Sequence, residues 1–329
     1  MRALVMTAPG GAENSEVQEI GTPHPGPGQV SIDVAWAGLN FVDVMTRRGD
    51  AAYASGWPYR PGKEVAGTVR ELGEGVTGLA VGDRVAAAPV GGGLAEVVVA
   101  EAVLTVPVPD GLALGAAAAA PLGLATAVLL LTDAGRLTTG DTVLVHSAGG
   151  GIGSAIAQLV PLLGGGGTLI GTVGRPEKAA SAAGQGYDHV FARDAELADA
   201  IRTATGGRGV DLVLDPLGTA ALELDLDVTA PGGRIVLFGN AGGGAVDDLP
   251  PLGRLMAGNL SVTGFSHRFL AATAPERLAR AIRTALDLQA NSGLSIPLTE
   301  LPGLEAVPAA HDAMQEGRAT GKYVVRVTG

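Results

Sequence analysis

Cysteine is absent from this chain of 329 residues, and aromatic residues make up only 3% of it. Without thiols, the chain can form neither disulfide bonds nor metal sites with thiolate ligands. The absence is compatible with a reducing compartment, and the amino-terminal sequence MRALVMTAPGGAE has no apolar core of the length of a signal peptide. We therefore expect a cytoplasmic protein.

Positive charge is also scarce. The 22 lysines and arginines are outnumbered by 33 aspartates and glutamates, which gives a formal net charge of −11. Nucleic acids and anionic membranes bind clustered lysine and arginine, so neither is expected as a partner. Hydrophobic residues make up 47% of the chain and charged residues 17%, and the 52 glycines follow no collagen-like period. These values indicate a soluble globular protein whose length allows two domains.

One apolar run, residues 111–132, is uncharged over the length of a membrane-spanning helix. The run is mostly alanine and glycine, Pro121 interrupts it, and acids flank it at Asp110 and Asp133 where a membrane helix would carry lysine or arginine. The prediction is two short helices, buried where the domains meet.

The pattern along the chain changes after this run. Before it, short apolar runs alternate with turns rich in proline and glycine, which is typical of a small β-barrel or sandwich. After it, strands alternate with helices, and Pro161 should kink or shorten the first of these helices. The pattern predicts a parallel sheet of six strands at 143–145, 169–173, 189–192, 210–215, 234–239 and 261–265.

The last part of the chain returns to the first domain. An amphipathic helix is predicted at 275–290 and a strand at 323–327. This strand comes too late in the chain to belong to the six-stranded sheet. The parallel-sheet domain is therefore predicted to be inserted between two parts of another domain, with limits at 1–119, 120–266 and 267–329.

The chain is organised around a glycine-rich turn between the first parallel strand and its helix. The fingerprint is Ala148-x-Gly150-x-x-Gly153, the Rossmann spacing with alanine in the first place. The glycines allow the backbone to approach a pyrophosphate, and the N–H groups that follow, including those of Gly151 and Ile152, face its charge. A second strand closes the βαβ unit at the expected distance, so we predict a dinucleotide site.

The end of the second strand indicates which dinucleotide binds. An NAD site usually has Asp or Glu there, whereas this chain has Gly174 and Arg175, with Lys178 one turn on. The missing carboxylate leaves room for a 2′-phosphate, and the two cations supply charge to bind it. Glu177 is expected to face solvent. NADPH is therefore the predicted cofactor.

Several motifs in order along the chain carry a family resemblance. They are GLNFVD at 38–43, RG at 48–49, PGKEVAG at 61–67, VGDRV at 81–85, AGGGIG at 148–153, GTVGRPEK at 171–178, FGN at 238–240 and RATGK at 318–322. With these motifs the chain resembles the medium-chain dehydrogenase/reductase superfamily, and within it the zinc-independent, zeta-crystallin-like quinone oxidoreductases. The resemblance implies an α/β fold in which a Rossmann doubly wound parallel sheet is inserted in a GroES-like β-barrel catalytic domain.

The resemblance also implies that zinc is absent. Zinc-dependent alcohol dehydrogenases of the superfamily have cysteine where this chain has Asn40, and histidine where it has Lys63. The five histidines show no ligand spacing, and a four-cysteine structural zinc site cannot form.

The family's site residues carry over by motif. Asn40, Asp43 and Tyr53 correspond to residues beside the nicotinamide; Asp43 is either an acid–base group or a loop anchor, and Tyr53 either a hydrogen-bond donor or a packed aromatic. Arg193 is expected to replace a tyrosine that binds the 2′-phosphate in some relatives, because Ala192 stands at its place. His146 is expected to pack. The remaining predicted cofactor contacts are Asn40, Thr126, Gly174, Arg175, Lys178, Phe238, Asn240, Phe265 and Arg318.

Three functions are open at this stage. The first is hydride transfer from NADPH to a quinone or to the C=C bond of an α,β-unsaturated carbonyl compound. The second is an enoyl reductase of polyketide or lipid type, and the third is an NADPH-binding protein without significant turnover. The resemblance further implies a homodimer that pairs the strand at 261–265 with its copy.

Overall fold

The computed structural model describes residues 1–50, 53–54, 56–243, 250 and 252–328. Residues 51, 52 and 55, close to the predicted site residue Tyr53, lie outside the described residues. The chain forms two compact units: Met1–Ala125 with His267–Gly329, and Thr126–Ser266. The second unit is thus inserted into the first.

The strands, in chain order, are β1 (Arg2–Met6), β2 (Ser15–Glu19), β3 (Gln29–Gly38), β4 (Val65–Leu72), β5 (Arg84–Ala87), β6 (Val97–Glu101), β7 (Thr105–Pro107), β8 (Val143–Val145), β9 (Leu169–Val173), β10 (His189–Ala192), β11 (Val210–Asp215), β12 (Thr229–Leu237), β13 (Ser261–Gly264), β14 (Leu298–Leu301) and β15 (Lys322–Arg326).

The α-helices are α1 (Phe41–Arg48), α2 (Leu114–Ala117), α3 (Ala125–Leu129), α4 (Gly151–Leu162), α5 (Ala179–Ala183), α6 (Leu197–Ala204), α7 (Thr219–Val228), α8 (Leu252–Gly258), α9 (His267–Thr273), α10 (Pro275–Asn291) and α11 (Val307–Gln315). Two π-helical segments, Ala120–Leu124 and Leu130–Ala134, flank α3.

The first unit is built on a sheet of order β14-β15-β3-β4-β5-β7, with β6 also paired to β3. The centre of this sheet is β3, whose inward residues Val30, Ile32 and Val34 are fully buried. The carboxyl-terminal strand β15 pairs antiparallel with β3, with Val325 opposite Ala37. The end of the chain therefore returns to the first unit, as the sequence predicts.

The second unit contains the six-stranded sheet, in the order β10-β9-β8-β11-β12-β13. All neighbouring strands are parallel. This is the strand order of a dinucleotide-binding Rossmann sheet, because the first strand of the unit lies at the centre and the chain reverses direction beside it. The predicted strands are present, and β12 begins earlier than predicted, at Thr229. The carboxyl ends of the six strands share one edge of the sheet.

The long apolar run differs from its prediction. Helical turns follow one another from Leu114 to Ala134 instead of forming two separate helices. Pro121 lies in the first turn of the segment Ala120–Leu124, where its missing N–H removes no helical hydrogen bond. By length and composition this stretch could cross a membrane, but 83% of its most apolar window is buried inside the protein, as in the core helix of a soluble protein.

Two helices, α4 with Pro161 and the amphipathic α10, agree with their predictions from the sequence. Pro161 is the penultimate residue of α4, which ends at Leu162. The long helix α10 buries Leu278, Ile282 and Leu286 on one face.

A buried basic pair lies where α1 packs against α11. The Arg47 guanidinium is 1% exposed; its Nη2 lies 2.8 Å from Asp312 Oδ1 and donates to Gln315 Oε1 at 2.9 Å. His311 beside it is fully buried, and among the described residues its ring nitrogens have no hydrogen-bond partner. Burial, helped by the charge of Arg47, lowers the pKa of His311 to about 3. The folded protein therefore keeps this ring neutral.

Acid should destabilise the protein through His311. As pH falls below 6.5, His311 binds a proton in the unfolded chain, whereas in the folded chain the ring stays neutral until about pH 3. The unfolding free energy therefore decreases across that window. His311→Gln should reduce the pH dependence of the unfolding free energy between about pH 6 and 4 by up to ~1.4 kcal/mol per pH unit. Denaturant titrations at several pH values measure this slope. The exposed His189→Gln variant is the control, and an unchanged slope in His311→Gln would contradict the prediction.

Candidate active site

The glycine-rich turn of the second unit joins β8 to α4. Gly150 precedes the helix in an extended conformation, and α4 begins at Gly151. A Cβ on Gly153 would lie 2.6 Å from Ala148 O, so only glycine allows the helix to approach the turn this closely. The alanine in the first fingerprint place is accommodated by the neighbouring strand: a Cβ on Gly171 would lie 2.7 Å from the Cβ of Ala148.

The first turn of α4 is suited to an anion. The N–H groups of Gly151, Ile152 and Gly153 belong to the first turn and lack intrahelical partners. A Cβ built on Gly149 meets nothing within 4 Å, and one on Gly150 meets only Ser147 O, at 3.3 Å. The backbone there is open to a close ligand, with the positive end of the helix dipole behind it.

Three cations lie near one another beyond β9 and β10. Lys178 has its pKa lowered by burial and then by the charges of Arg175 and Arg193. Burial also lowers the pKa of Arg193, with Asp215 acting in the opposite direction. Arg175 pairs at 3.5 Å with Glu177, whose side chain is 67% exposed. Cations that repel one another in a partly desolvated place are stabilised by an added anion.

Gly174 creates the space for the third cation. A Cβ on Gly174 would lie 2.5 Å from Arg193 Nη2. The guanidinium therefore covers the end of β9, where an NAD-binding protein usually carries its acidic residue. The sequence predicted Arg193 as a contact, but the steric link to Gly174 could not be read from it.

Phe238, Asn240 and Phe265, also predicted as cofactor contacts, follow strand ends at the same edge, whereas Thr126 lies in α3. Phe238 comes directly after β12, and its N–H donates to Asp215 O at 2.9 Å. Phe265 comes after β13, and its N–H donates to Leu237 O at 2.8 Å. Asn240 lies in the turn beyond Phe238. Thr126 is buried, and among the described residues its hydroxyl has no hydrogen-bond partner.

A buried polar network beneath this edge was missed by sequence reasoning. His146 Nδ1 lies 2.7 Å from Thr172 Oγ1, and its Nε2 lies 2.7 Å from Asp225 Oδ1. Asp215, at the end of β11, accepts hydrogen bonds from the N–H groups of Leu217 and Gly218. Burial, with the negative charge of Asp225, raises the pKa of Asp215 to about 7. Through its contact with Asp225, His146, which directly follows β8, links that strand to α7, as a packing residue would.

The first unit holds a second buried cluster, around Asn40. Asn40 Nδ2 donates to Glu64 Oε1 at 2.9 Å, and Lys322 Nζ donates to Asn40 Oδ1 at 2.8 Å. Lys322 and Glu64 form an ion pair in which both side chains are at most 5% exposed. Their motifs were visible in the sequence, but nothing indicated that the two residues meet.

Asp43 is a fully buried anchor. Its Oδ2 accepts the Asn40 N–H at 2.9 Å, and its Oδ1 accepts the Gly62 N–H at 3.2 Å. The first bond closes the amino-terminal turn of α1. The pKa of Asp43 is raised, because the effect of burial outweighs the two backbone N–H bonds and the charge of Lys63, which lower it. Between the two roles considered for Asp43, this geometry favours the anchor over the acid or base.

The remaining predicted residues of this unit lie near its surface. Tyr53 is half-buried, and burial followed by the charge of Asp50 raises its pKa. Lys63 Nζ donates to Val90 O at 2.8 Å and to the Tyr59 hydroxyl at 3.3 Å. Arg318 Nε donates to Glu316 Oε2 at 2.5 Å. Within the part of the chain that the structure describes, no group of three or more His, Asp or Glu residues could hold a metal ion.

The anchoring role of Asp43 is testable through stability. Asp43→Ala leaves two buried N–H groups unpaired, so the unfolding free energy should fall by about 1–3 kcal/mol for each. Asp43→Asn keeps one of the two acceptor oxygens and should lose less than Asp43→Ala. Chemical denaturation measures both. Asp33→Ala, which removes a half-exposed carboxylate on β3, is the control and should change stability by less than about 1 kcal/mol. A fully stable Asp43→Ala variant would show that the contacts anchor nothing.

Comparison with known proteins identifies both units. Residues 26–110 match the family model of the alcohol dehydrogenase GroES-like domain, and residues 151–285 match that of the zinc-binding dehydrogenases. The structure of Pseudomonas syringae pv. Tomato DC3000 quinone oxidoreductase is similar, with a TM-score of 0.90 and 30% identity over 99% of both chains. Escherichia coli quinone oxidoreductase complexed with NADPH gives 0.89 and 29%, covering 99% of this chain and 100% of that one.

A curated relative comes from a much longer protein. The mycocerosic acid synthase-like polyketide synthase of Mycolicibacterium smegmatis is 33% identical over 328 residues, which are 98% of this chain. The chain spans only 15% of the length of that relative. The sequence motifs, the GroES-like unit, the Rossmann sheet and the two full-length structural matches agree: the chain belongs to the quinone oxidoreductase family of the medium-chain dehydrogenase/reductase superfamily.

Proposed function

We propose that this chain is a zinc-independent, NADPH-dependent oxidoreductase that transfers hydride to a quinone or to the C=C bond of an α,β-unsaturated carbonyl compound. The observation that carries the proposal is the Asn40 carboxamide, held by Glu64 and Lys322 at the place where zinc-dependent relatives have a cysteine ligand. An amide N–H can donate a hydrogen bond to a developing oxyanion but cannot act as a Lewis acid.

The choice of cofactor follows from the second unit. The open turn before α4 fits a pyrophosphate, and the cations Arg175, Lys178 and Arg193 fit a 2′-phosphate. When bound, NADPH supplies the hydride. The orphaned Thr126 hydroxyl offers a further polar contact, and the Escherichia coli relative complexed with NADPH supports the same cofactor.

Zinc independence rests on the donor set. The matching family model is named for zinc-binding dehydrogenases, but the positions that would supply ligands hold Asn40 and Lys63. The Lys63 ammonium is directed to Val90 O and the Tyr59 hydroxyl, and a protonated amine is not a metal ligand.

A conjugated acceptor suits such a site. Hydride that enters at the β-carbon of an enone leaves charge on the enolate oxygen, and a quinone spreads charge in the same way. A saturated ketone concentrates this charge on one alkoxide, which a single amide stabilises less well than a metal does. The Asn40 N–H and the Tyr53 hydroxyl are the proposed donors of the chain.

Two other functions remain as alternatives. An enoyl reductase acting on polyketide or lipid thioesters is favoured by the 33% identity to a polyketide synthase. An NADPH-binding protein without significant turnover would show binding with no acceptor-dependent oxidation. A panel of quinones, enals, enones and enoyl thioesters separates the three.

A cytoplasmic homodimer completes the proposal. Among the described residues, β13 is an edge strand with only β12 beside it, so it can pair with its copy across a two-fold axis. The neighbouring helix α8 exposes Leu252 and Met256, which are 73% and 77% exposed. Exposed apolar side chains and a free strand edge are each suited to an interface between two copies.

The cofactor assignment predicts a selective loss of affinity. Replacing Arg175 and Lys178 together with Ala should weaken NADPH binding by roughly 2 to 5 kcal/mol, because charge-assisted pairs to the 2′-phosphate are lost. NADH has no such phosphate and should bind almost unchanged. Calorimetric or fluorescence titration measures both cofactors. Arg202→Ala, a surface change in α6, is the control, and equal losses for NADPH and NADH would rule out the assignment.

The proposed chemistry predicts acceptor selectivity. Enzyme dialysed against a chelator should oxidise NADPH with enones or quinones, and should neither reduce saturated ketones nor oxidise simple alcohols with NADP⁺. Tyr53→Phe should slow enone reduction by about 10- to 1000-fold if its hydroxyl is a donor. Tyr323→Phe, on β15, is the matched control. Efficient alcohol oxidation by metal-free enzyme would contradict this chemistry, and activity lost with the metal would contradict zinc independence.

A further inference from the structure

The Asn40 residue is held at three of its atoms. Its backbone N–H donates to Asp43 Oδ2, its Nδ2 donates to Glu64 Oε1, and its Oδ1 accepts from Lys322 Nζ, all at 2.8–2.9 Å. Asn40 itself is 8% exposed. Its side chain is therefore fixed, while a small part of its surface stays accessible.

The chemistry of the two partners fixes which way the carboxamide points. The Lys322 ammonium can only donate hydrogen bonds, so the amide oxygen must face it. The ionised Glu64 carboxylate can only accept, so the amide nitrogen must face that side. A flipped amide would place N–H against ammonium and oxygen against carboxylate. The assignment of oxygen and nitrogen thus follows from the partners.

Both partners are fully occupied. The three hydrogens of Lys322 Nζ serve Leu39 O at 2.8 Å, Asn40 Oδ1 and the Glu64 carboxylate. Glu64 Oε2 accepts the N–H groups of Leu122 and Gly123 at 2.8 and 3.0 Å. Neither residue can turn toward another group without breaking a buried bond.

The backbone leaves room for this carboxylate at one glycine. A Cβ on Gly38 would lie 2.3 Å from Glu64 Oε1, so any other residue there would displace the acid. A buried ion pair is seldom a net source of stability, because the desolvation of two charges offsets their attraction. An orientation that the pair imposes on its neighbour is a reason to retain it.

We propose that Glu64 and Lys322 are positioning residues that lock the Asn40 carboxamide, so that its second N–H donates to the oxyanion formed on the acceptor. The amide nitrogen carries two hydrogens, and Glu64 takes one. The other hydrogen is held in a fixed direction before the reaction begins, which avoids reorganisation when charge develops. This inference rests on the proposed function.

The first test reads the orientation without any turnover. In protein labelled with ¹⁵N at asparagine, the Asn40 side-chain signals are those lost in Asn40→Ala. In the wild type, one amide hydrogen should be strongly protected from solvent exchange. Lys322→Met should reduce this protection at least about tenfold, because the amide can then rotate, and Lys322→Arg should retain most of it. Unchanged protection in a folded Lys322→Met protein would overturn the inference.

A second variant distinguishes loss of the amide orientation from loss of folding. Lys322→Met alone leaves the Glu64 carboxylate buried without its cation, which can unfold the unit. Combining it with Glu64→Gln removes both charges at similar volume and keeps one acceptor oxygen for the Leu122 and Gly123 N–H groups. The new amide then turns an N–H donor toward the Asn40 carboxamide, so Asn40 Nδ2 loses its acceptor. This double variant should lose the protection while its melting temperature remains near that of the wild type.

The second test asks whether the pair acts through Asn40. Asn40→Ala should lower kcat for an enone by about 100- to 1000-fold, as for a lost oxyanion donor. The Glu64→Gln/Lys322→Met variant should lower kcat at least about tenfold, with little change in KM, because the oxyanion exists only in the transition state. In the Asn40→Ala background the same double change should cost less than about twofold.

The outcomes distinguish failure of the positioning role from failure of the proposed function. A double change that lowers kcat by the same factor in the wild type and in the Asn40→Ala background would show that the ion pair acts independently of Asn40, and would overturn the positioning role. If the wild-type enzyme reduces no acceptor, the proposed function fails, and the amide-exchange measurement then decides whether Glu64 and Lys322 orient the side chain.

Discussion

The buried ion pair between Glu64 and Lys322 fixes the point at which remote parts of the first unit meet. Glu64 ends the loop before β4, and Lys322 begins β15, which is 258 residues later in the chain. The same carboxylate accepts the N–H groups of Leu122 and Gly123, within the apolar helical stretch. Three distant parts of the chain are therefore joined at one buried point, and none can shift without leaving a buried charge or N–H group unpaired. The two parts of the first unit thus meet here as well as in the pairing of β15 with β3.

In the second unit, three glycines allow close approaches that a side chain would block. Gly153 allows α4 to approach the turn, Gly171 accommodates Ala148, and Gly174 leaves space for the guanidinium of Arg193. Gly153 meets backbone, Gly171 meets the Ala148 methyl group, and Gly174 meets a guanidinium. Three cations, Arg175, Lys178 and Arg193, lie near one another at this edge, which makes it suited to an anion.

Local patterns predicted much of the fold because they report burial. Central parallel strands are buried on both faces, and continuous apolar runs mark β8, β9 and β11. The edge strands β10 and β13 have no buried residue. Pro121 misled the prediction because the rule for proline applies to a helix interior, whereas this residue lies in a first turn. The return of β15 to the first sheet was predicted from its late position, and its pairing with β3 agrees.

The contacts within the site could not be predicted in the same way, because they join residues remote in sequence. Asn40 and Lys322 are separated by 282 positions, and His146 and Asp225 by 79. Motifs predicted Asn40 as a site residue but could not show which atoms of its side chain are already used. That distinction decides its chemistry. An asparagine with a free side chain can offer oxygen or nitrogen to a ligand, whereas one fixed between an ammonium and a carboxylate can offer only N–H. In the proposed reaction, the Asn40 amide is the hydrogen-bond donor to the enolate oxygen, and Glu64 and Lys322 fix its direction without touching the substrate.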